Sequence, residues 1–202
     1  MSDIPVLLMA AGASTRMGRP KQLLPWKNTT LIEHQIQTLH QISNSVFVVL
    51  GAHSEAIIPV LNKTSVRIMT NPNWSEGMGN SIAFGLQQLL NEQPNCEAVL
   101  IGLVDQPLID THHCKQLIAA FEQGLQHIVV SEDPKADWWG APVLFDRNYF
   151  SELLKLNGDI GAKKIAKKYE EHVIKVKSSG SLEDIDTPEA YHQLKQKINH
   201  RS

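Results

Sequence analysis

Residues 6–25 read Val6-Leu7-Leu8-Met9-Ala10-Ala11-Gly12-Ala13-Ser14-Thr15-Arg16-Met17-Gly18-Arg19-Pro20-Lys21-Gln22-Leu23-Leu24-Pro25. A short apolar run that stops abruptly at small residues reads as a buried strand opening into a loop. Small residues let backbone N–H groups approach a ligand closely, and such groups form anion-binding concavities. The loop then adds cations. From Ile4 to Ile32 there is no Asp or Glu, whereas Arg16, Arg19, Lys21 and Lys27 are all present. Unopposed positive charge on a glycine-containing loop points to a phosphate ligand. A plain strand–turn–helix connection has no use for so long a charged loop.

Two common phosphate motifs do not fit. A Walker loop needs G-x-x-x-x-G-K-[ST], and here Gly18 is followed by Arg19, Pro20, Lys21 and Gln22. The dinucleotide fingerprint G-x-G-x-x-G is absent. The stretch resembles instead the signature loop L-x-A-A/G-G-x-S-x-R-M-G-x-x-K-x-L-L-P of nucleotidyltransferases. Leu8 to Gly18 with Pro20-Lys21 is most similar to the molybdenum cofactor cytidylyltransferases (MobA/MocA-type). The resemblance implies an α/β chain with the three-layer α/β/α, Rossmann-like nucleotide-diphospho-sugar transferase fold and a mostly parallel mixed sheet. Residues 1–202 would form a single nucleotidyltransferase domain.

The rest of the chain is compatible with this. A 202-residue chain is long enough to bury a real core. Hydrophobic residues at 42% and charged residues at 20% are ordinary globular values. The formal net charge of −2 argues against general nucleic-acid binding. No apolar run approaches a membrane span, and the acidic start MSDIP does not read as a signal peptide. Cys96 and Cys114 form neither a metal spacing nor a disulfide framework, as in a reducing cytoplasm.

Alternating patterns predict strands near residues 5–10, 45–50, 66–69, 99–104, 127–131 and 172–176. Helices are expected from Thr29 or Thr30 to about Ile42, over His53–Leu61, and from Asn80 or Ser81. Others follow the Asp110 cap, span Gly161–Tyr169 and start at the Thr187-Pro188 cap. Strand–helix alternation argues for parallel βαβ units with ligands beyond the strand ends. His112 and His113 are neighbours that do not share a helix face, which suits surface residues better than a metal pair.

Four further motifs carry the resemblance. Gly77, Met78, Gly79 and Ser81 match G-M/L-x-x-S, which lines the nucleotide pocket of the family together with Ala10, Ala11, Gly12, Ala13, Ser14, Arg16, Lys21 and Asp105. Asp105-Gln106-Pro107 ends the most apolar run, where an unpaired buried carboxylate is costly and a metal satisfies it. The resemblance gives Asp105 a Mg²⁺ ligand role. It gives the same role to Asp186, in Asp184-Ile185-Asp186-Thr187-Pro188-Glu189, with Asp184 in reserve. Asp137 to Phe145 matches G-H-P-V-L-F with Ala141 in place of the histidine, and Asn157 to Lys164 matches G-D-x-G-A-R with Lys163 in place of the arginine. Gln106, Trp139, Gly140, Ala141, Asp159 and Lys163 become candidates for the second substrate, with Trp138 and Trp139 as stacking surfaces for a pterin.

The implied activity is transfer of CMP from CTP to the molybdopterin cofactor with release of pyrophosphate. Arg16, Lys21 and Asp105 would be the catalytic residues. No nucleophile motif is present, and direct transfer needs none. The alternatives are guanylyl transfer from GTP to the same cofactor, nucleotidyl transfer to a sugar phosphate, and a non-catalytic cofactor-insertion protein. An apo-molybdoenzyme is the partner such a protein would serve.

Overall fold

The computed structural model describes residues 3–134, 138–178 and 182–199. Asp137, which opens one of the motifs above, lies outside them, as does the N-terminal pair 1–2. Strand β1 (Val6–Ala10) leads through the signature loop to a short hairpin, β2 (Pro25–Trp26) and β3 (Thr29–Thr30). Then come α1 (Leu31–Leu39), β4 (Val46–Leu50), α2 (Ser54–Leu61), β5 (Arg67–Thr70), α3 (Met78–Glu92), β6 (Ala98–Leu103) and α4 (Thr111–Ala119). The remainder is β7 (Ile128–Glu132), β8 (Trp139–Asp146), α5 (Phe150–Leu153), α6 (Lys163–Lys168), β9 (Val173–Lys177) and α7 (Pro188–Asn199).

Seven strands form one sheet in the order β5-β4-β1-β6-β8-β7-β9. Only β8 runs against its neighbours, β6 and β7. The other pairings are parallel, with Leu8 opposite both Val48 and Gly102. Side chains of β1 alternate between two cores, as the strand period of two requires. Val6, Leu8 and Ala10 meet α1, α2 and α4 on one face, through Ile36, Leu61 and Leu117 among others. Leu7 and Met9 meet α3, α5 and α6 on the other, through Leu86, Leu153 and Ile165. This is a mixed, mostly parallel three-layer α/β/α sandwich.

A third, smaller cluster joins the two ends of the chain. Trp26 and Leu31 pack against Ile185, Tyr191 and Leu194, and the Tyr191 hydroxyl donates to Pro25 O at 2.6 Å. Local capping follows the sequence. Thr30 and Glu33 form a capping box at α1, and Asp110 accepts the His113 N–H at α4.

Three expectations need correction. Helix α3 starts at Met78 rather than Asn80 or Ser81, because Gly77 supplies the cap with φ 107°. Helix α1 ends at Leu39 rather than near Ile42. His113 is buried rather than on the surface: its Nε2 lies 2.8 Å from Ser131 Oγ, which itself donates to Pro142 O at 2.7 Å. Ser131 therefore accepts from His113 Nε2–H, and the pair braces β8 from behind. Burial and the neighbouring His112 lower the His113 pKa, so the ring stays neutral.

Candidate active site

The signature loop leaves β1 at the edge where β4 and β6 also end. There a cleft of about 320 Å³ opens. Ala10, Ala11, Gly12, Ala13, Lys21 and Asp105 line it together with Gly77, Met78, Ser81 and Asp159. The N–H groups of Gly12 and Ala13 make no hydrogen bond among the described residues, so they are available to a ligand.

Neighbouring segments hold the loop in this form. Ala52 N–H donates to Ala11 O at 3.1 Å, and His53 Nε2 donates to Ala13 O at 3.0 Å. Ser14 has φ 55° and accepts the Lys21 N–H, so it shapes the loop and does not line the cleft. Gly51 lies flush under Trp74, where a Cβ would sit 2.3 Å from the Trp74 Cβ. Trp74 is a cleft wall to which the sequence assigned no role.

Gln22 was also missed. It is fully buried, and its Nε2 donates to Ala10 O at 2.9 Å and to Gly12 O at 3.2 Å. One side chain thus clamps both ends of the loop's first turn. The signal was weak, since glutamine after the signature lysine looks like any polar helix residue. Gln22→Leu is expected to weaken nucleotide binding by about tenfold, the scale of two lost hydrogen bonds. Unchanged affinity by calorimetry would remove Gln22 from the loop's support.

At the mouth of the cleft the chain brings four charges together. Lys21 Nζ contacts Asp105 Oδ2 and lies 3.2 Å from Asp186 Oδ1. Arg16 reaches Asp186 Oδ2 at 2.8 Å, outside the cleft itself. Asp105 and Asp186, 81 residues apart in sequence, meet because Ile185 N–H donates to Asp105 O at 2.8 Å. Burial alone would lower the Lys21 pKa, but Asp105 and Asp186 outweigh it and raise the value. Although Asp184 is solvent-exposed along much of its surface, desolvation of its carboxyl, with Asp105 nearby, pushes its pKa up to about 6.

The donor set suits a hard divalent ion that keeps waters or phosphate oxygens in its shell. Asp105 Oδ1 is buried and has no hydrogen-bond partner, an orphan that a cation would satisfy. No group of three or more His, Cys, Asp or Glu that could hold a metal is gathered among the described residues. Cys96 and Cys114 are pushed up to about 11 and about 12 by burial, which leaves both thiols inert as nucleophiles.

A second cavity of about 170 Å³ adjoins the cleft and shares Met78 and Leu103 with it. Trp138, Trp139, Gly140, Ala141 and Lys163 line it. Lys163 Nζ lies 4.7 Å from the Trp138 ring and 5.0 Å from that of Trp139. Burial, then Lys167, lowers its pKa. Gly140 is tight against the Trp138 indole, 2.9 Å from where a Cβ would stand. Two second-substrate candidates lie elsewhere. Asp159 belongs to the larger cleft, carried there by a loop whose Gly158 O accepts the Gly79 N–H at 2.8 Å. Gly79 is the floor under that loop and does not face the cleft. Gln106 is buried: its Nε2 donates to Leu182 O, and its carbonyl accepts from Gln35. It props the 182–186 segment and lines neither cavity.

The family model described as the MobA-like NTP transferase domain matches residues 6–173. Nicotine blue oxidoreductase of Paenarthrobacter nicotinovorans is 30% identical, over 96% of this chain and 98% of its own. The molybdenum cofactor cytidylyltransferase of Escherichia coli is 30% identical over a shorter stretch, 41% of this chain and 43% of its own. The crystal structure of Rv0371c from Mycobacterium tuberculosis superposes with TM-score 0.81 at 27% identity, covering 96% of this chain and 99% of that one. A second structure of Rv0371c, at TM-score 0.75 and 26% identity over 96% and 98%, is a complex with manganese. With its signature loop, sheet order and end-to-end matches, this chain belongs to the MobA-like NTP transferase domain family, an enzyme of the nucleotidyltransferase class.

Proposed function

We propose that the whole chain works as one Mg²⁺-dependent cytidylyltransferase that moves CMP from CTP onto the phosphate of a molybdenum-carrying pterin and releases pyrophosphate. The observation that carries this reading is that Asp105 and Asp186 share Lys21 beside a cleft lined by Asp105 and by Gly12 and Ala13, whose N–H groups are open. The name of the Escherichia coli relative supports the choice of CTP and acceptor. Asp105 and Asp186 would hold the ion, which when bound polarises and orients phosphate oxygens. The loop N–H groups cradle the triphosphate. Lys21 and Arg16 offset charge on it and on the departing pyrophosphate. An acceptor in the Trp138–Trp139 cavity would reach the cleft across Met78 and Leu103. Such an enzyme would serve an apo-molybdoenzyme in the cytoplasm.

Calorimetric titration with CTP and with GTP, each with and without Mg²⁺, tests this. The expected result is Mg²⁺-dependent CTP binding that is lost in Asp105→Ala, with GTP much weaker. Tighter GTP binding moves the reading to guanylyl transfer. A second reading is favoured by the almost wholly carbon-lined walls of the smaller cavity. They suit a flat aromatic redox substrate, and the name of the Paenarthrobacter relative is that of an oxidoreductase. Binding of a planar aromatic redox dye in that cavity, with no binding of either triphosphate, would select it.

A further inference from the structure

We propose that Lys21 is a resident counter-cation, standing in the nucleotide-free protein where the divalent ion belongs, so that metal enters only with a triphosphate. This rests on the nucleotidyltransferase reading and adds an order of events to it. The Lys21 ammonium touches Asp105 Oδ2 and lies 3.2 Å from Asp186 Oδ1. Lys21 and Asp105 side chains are only 13% and 15% exposed. Two carboxylates held this close need a cation, since like charges in a shared, poorly solvated site disfavour each other.

An ammonium and a divalent ion cannot both fit between the same two oxygens. Arg16 meanwhile holds the outer oxygen, Asp186 Oδ2. Two cations therefore already offset the charge of these two carboxylates, which weakens their pull on a metal. A triphosphate changes the balance. It brings several negative charges to the cleft beside Gly12 and Ala13, within reach of the flexible four-carbon stem of Lys21. When Lys21 turns to the phosphates, Asp105 Oδ2 and Asp186 Oδ1 are released together. Asp105 Oδ1, buried and without a partner, is already waiting for the ion.

The test reads Mn²⁺ binding by electron paramagnetic resonance, without nucleotide, in the wild type, Lys21→Met and Arg16→Met. Lys21→Met should bind Mn²⁺ at least ~10-fold tighter than the wild type, the order expected for removing a contacting charge. Arg16→Met removes the same charge from the same cluster but leaves the ammonium in place, and its gain should stay below ~3-fold. Mn²⁺ should also raise the unfolding temperature of Lys21→Met and not that of the wild type, since a ligand stabilises only what it binds. If Lys21→Met does not fold, Lys21→Gln carries the same expectations. Equal gains in the two variants, or tight Mn²⁺ binding by the wild type alone, overturn the proposal. Uptake of Mn²⁺ with CTP or GTP but no gain in Lys21→Met overturns it while sparing the nucleotidyltransferase reading. No uptake with either nucleotide in any variant overturns both.

Discussion

Lys21→Ala is expected to lower turnover by about 10²–10³-fold, the usual cost of losing one preorganised donor to developing charge. Nucleotide affinity should fall far less, because the N–H groups of Gly12 and Ala13 remain and Gln22 still clamps their loop. Steady-state rates paired with calorimetric affinities check both halves. Near-normal turnover would remove Lys21 from the chemistry. Asp105 and Asp186 raise the pKa of this lysine above its ordinary value, so it stays charged through neutral and mildly alkaline pH. Raising the pH to 9 should therefore not imitate the substitution.

Gly77→Ala is expected to destabilise the protein by ~2 kcal/mol or more and to weaken nucleotide binding with it. At φ 107° and ψ 178°, Gly77 occupies a region essentially closed to other residues, at a cost of order 1–3 kcal/mol. A methyl group there would also stand 2.3 Å from the Gly158 carbonyl carbon. Relief requires the 157–160 loop to lift off α3, taking Asp159 away from the cleft. Denaturant unfolding and nucleotide titration measure the two effects. An unchanged midpoint would mean that the loop is not seated on Gly77 in solution.

The central strands were legible because each is a short, fully buried apolar run. Their predicted bounds differ from the observed ones by a residue or so at each end. Helix caps with a side-chain mechanism, at Thr30 and Asp110, were equally clear. The start of α3 was not, since its cap is a backbone conformation of Gly77 and carries no side-chain signal. The two-residue strands β2 and β3 are too short for any periodicity, and the four-residue α5 likewise. The direction of β8 depends on how long connections close, which residue patterns do not encode. In the site, motif residues on one loop could be grouped from sequence, whereas contacts across the fold could not. Gln106 illustrates this: next to Asp105 in the chain, it turns inward to Leu182 rather than outward to a ligand. Gln22 and Trp74 act through shape and backbone contacts, so their residue types gave no warning.

The small cluster of Trp26, Ile185, Tyr191 and Leu194 has a consequence for the birth of the protein. It docks α7 against the β2–β3 hairpin and so sets the place of Asp186, 165 positions beyond Lys21. On a ribosome, the phosphate loop and Asp105 emerge long before that carboxylate does. Until α7 has been made and has closed over the hairpin, Lys21 and Asp105 stand without their third partner, Asp186. The ion cluster beside the cleft is thereby a late product of synthesis rather than a property of the loop alone.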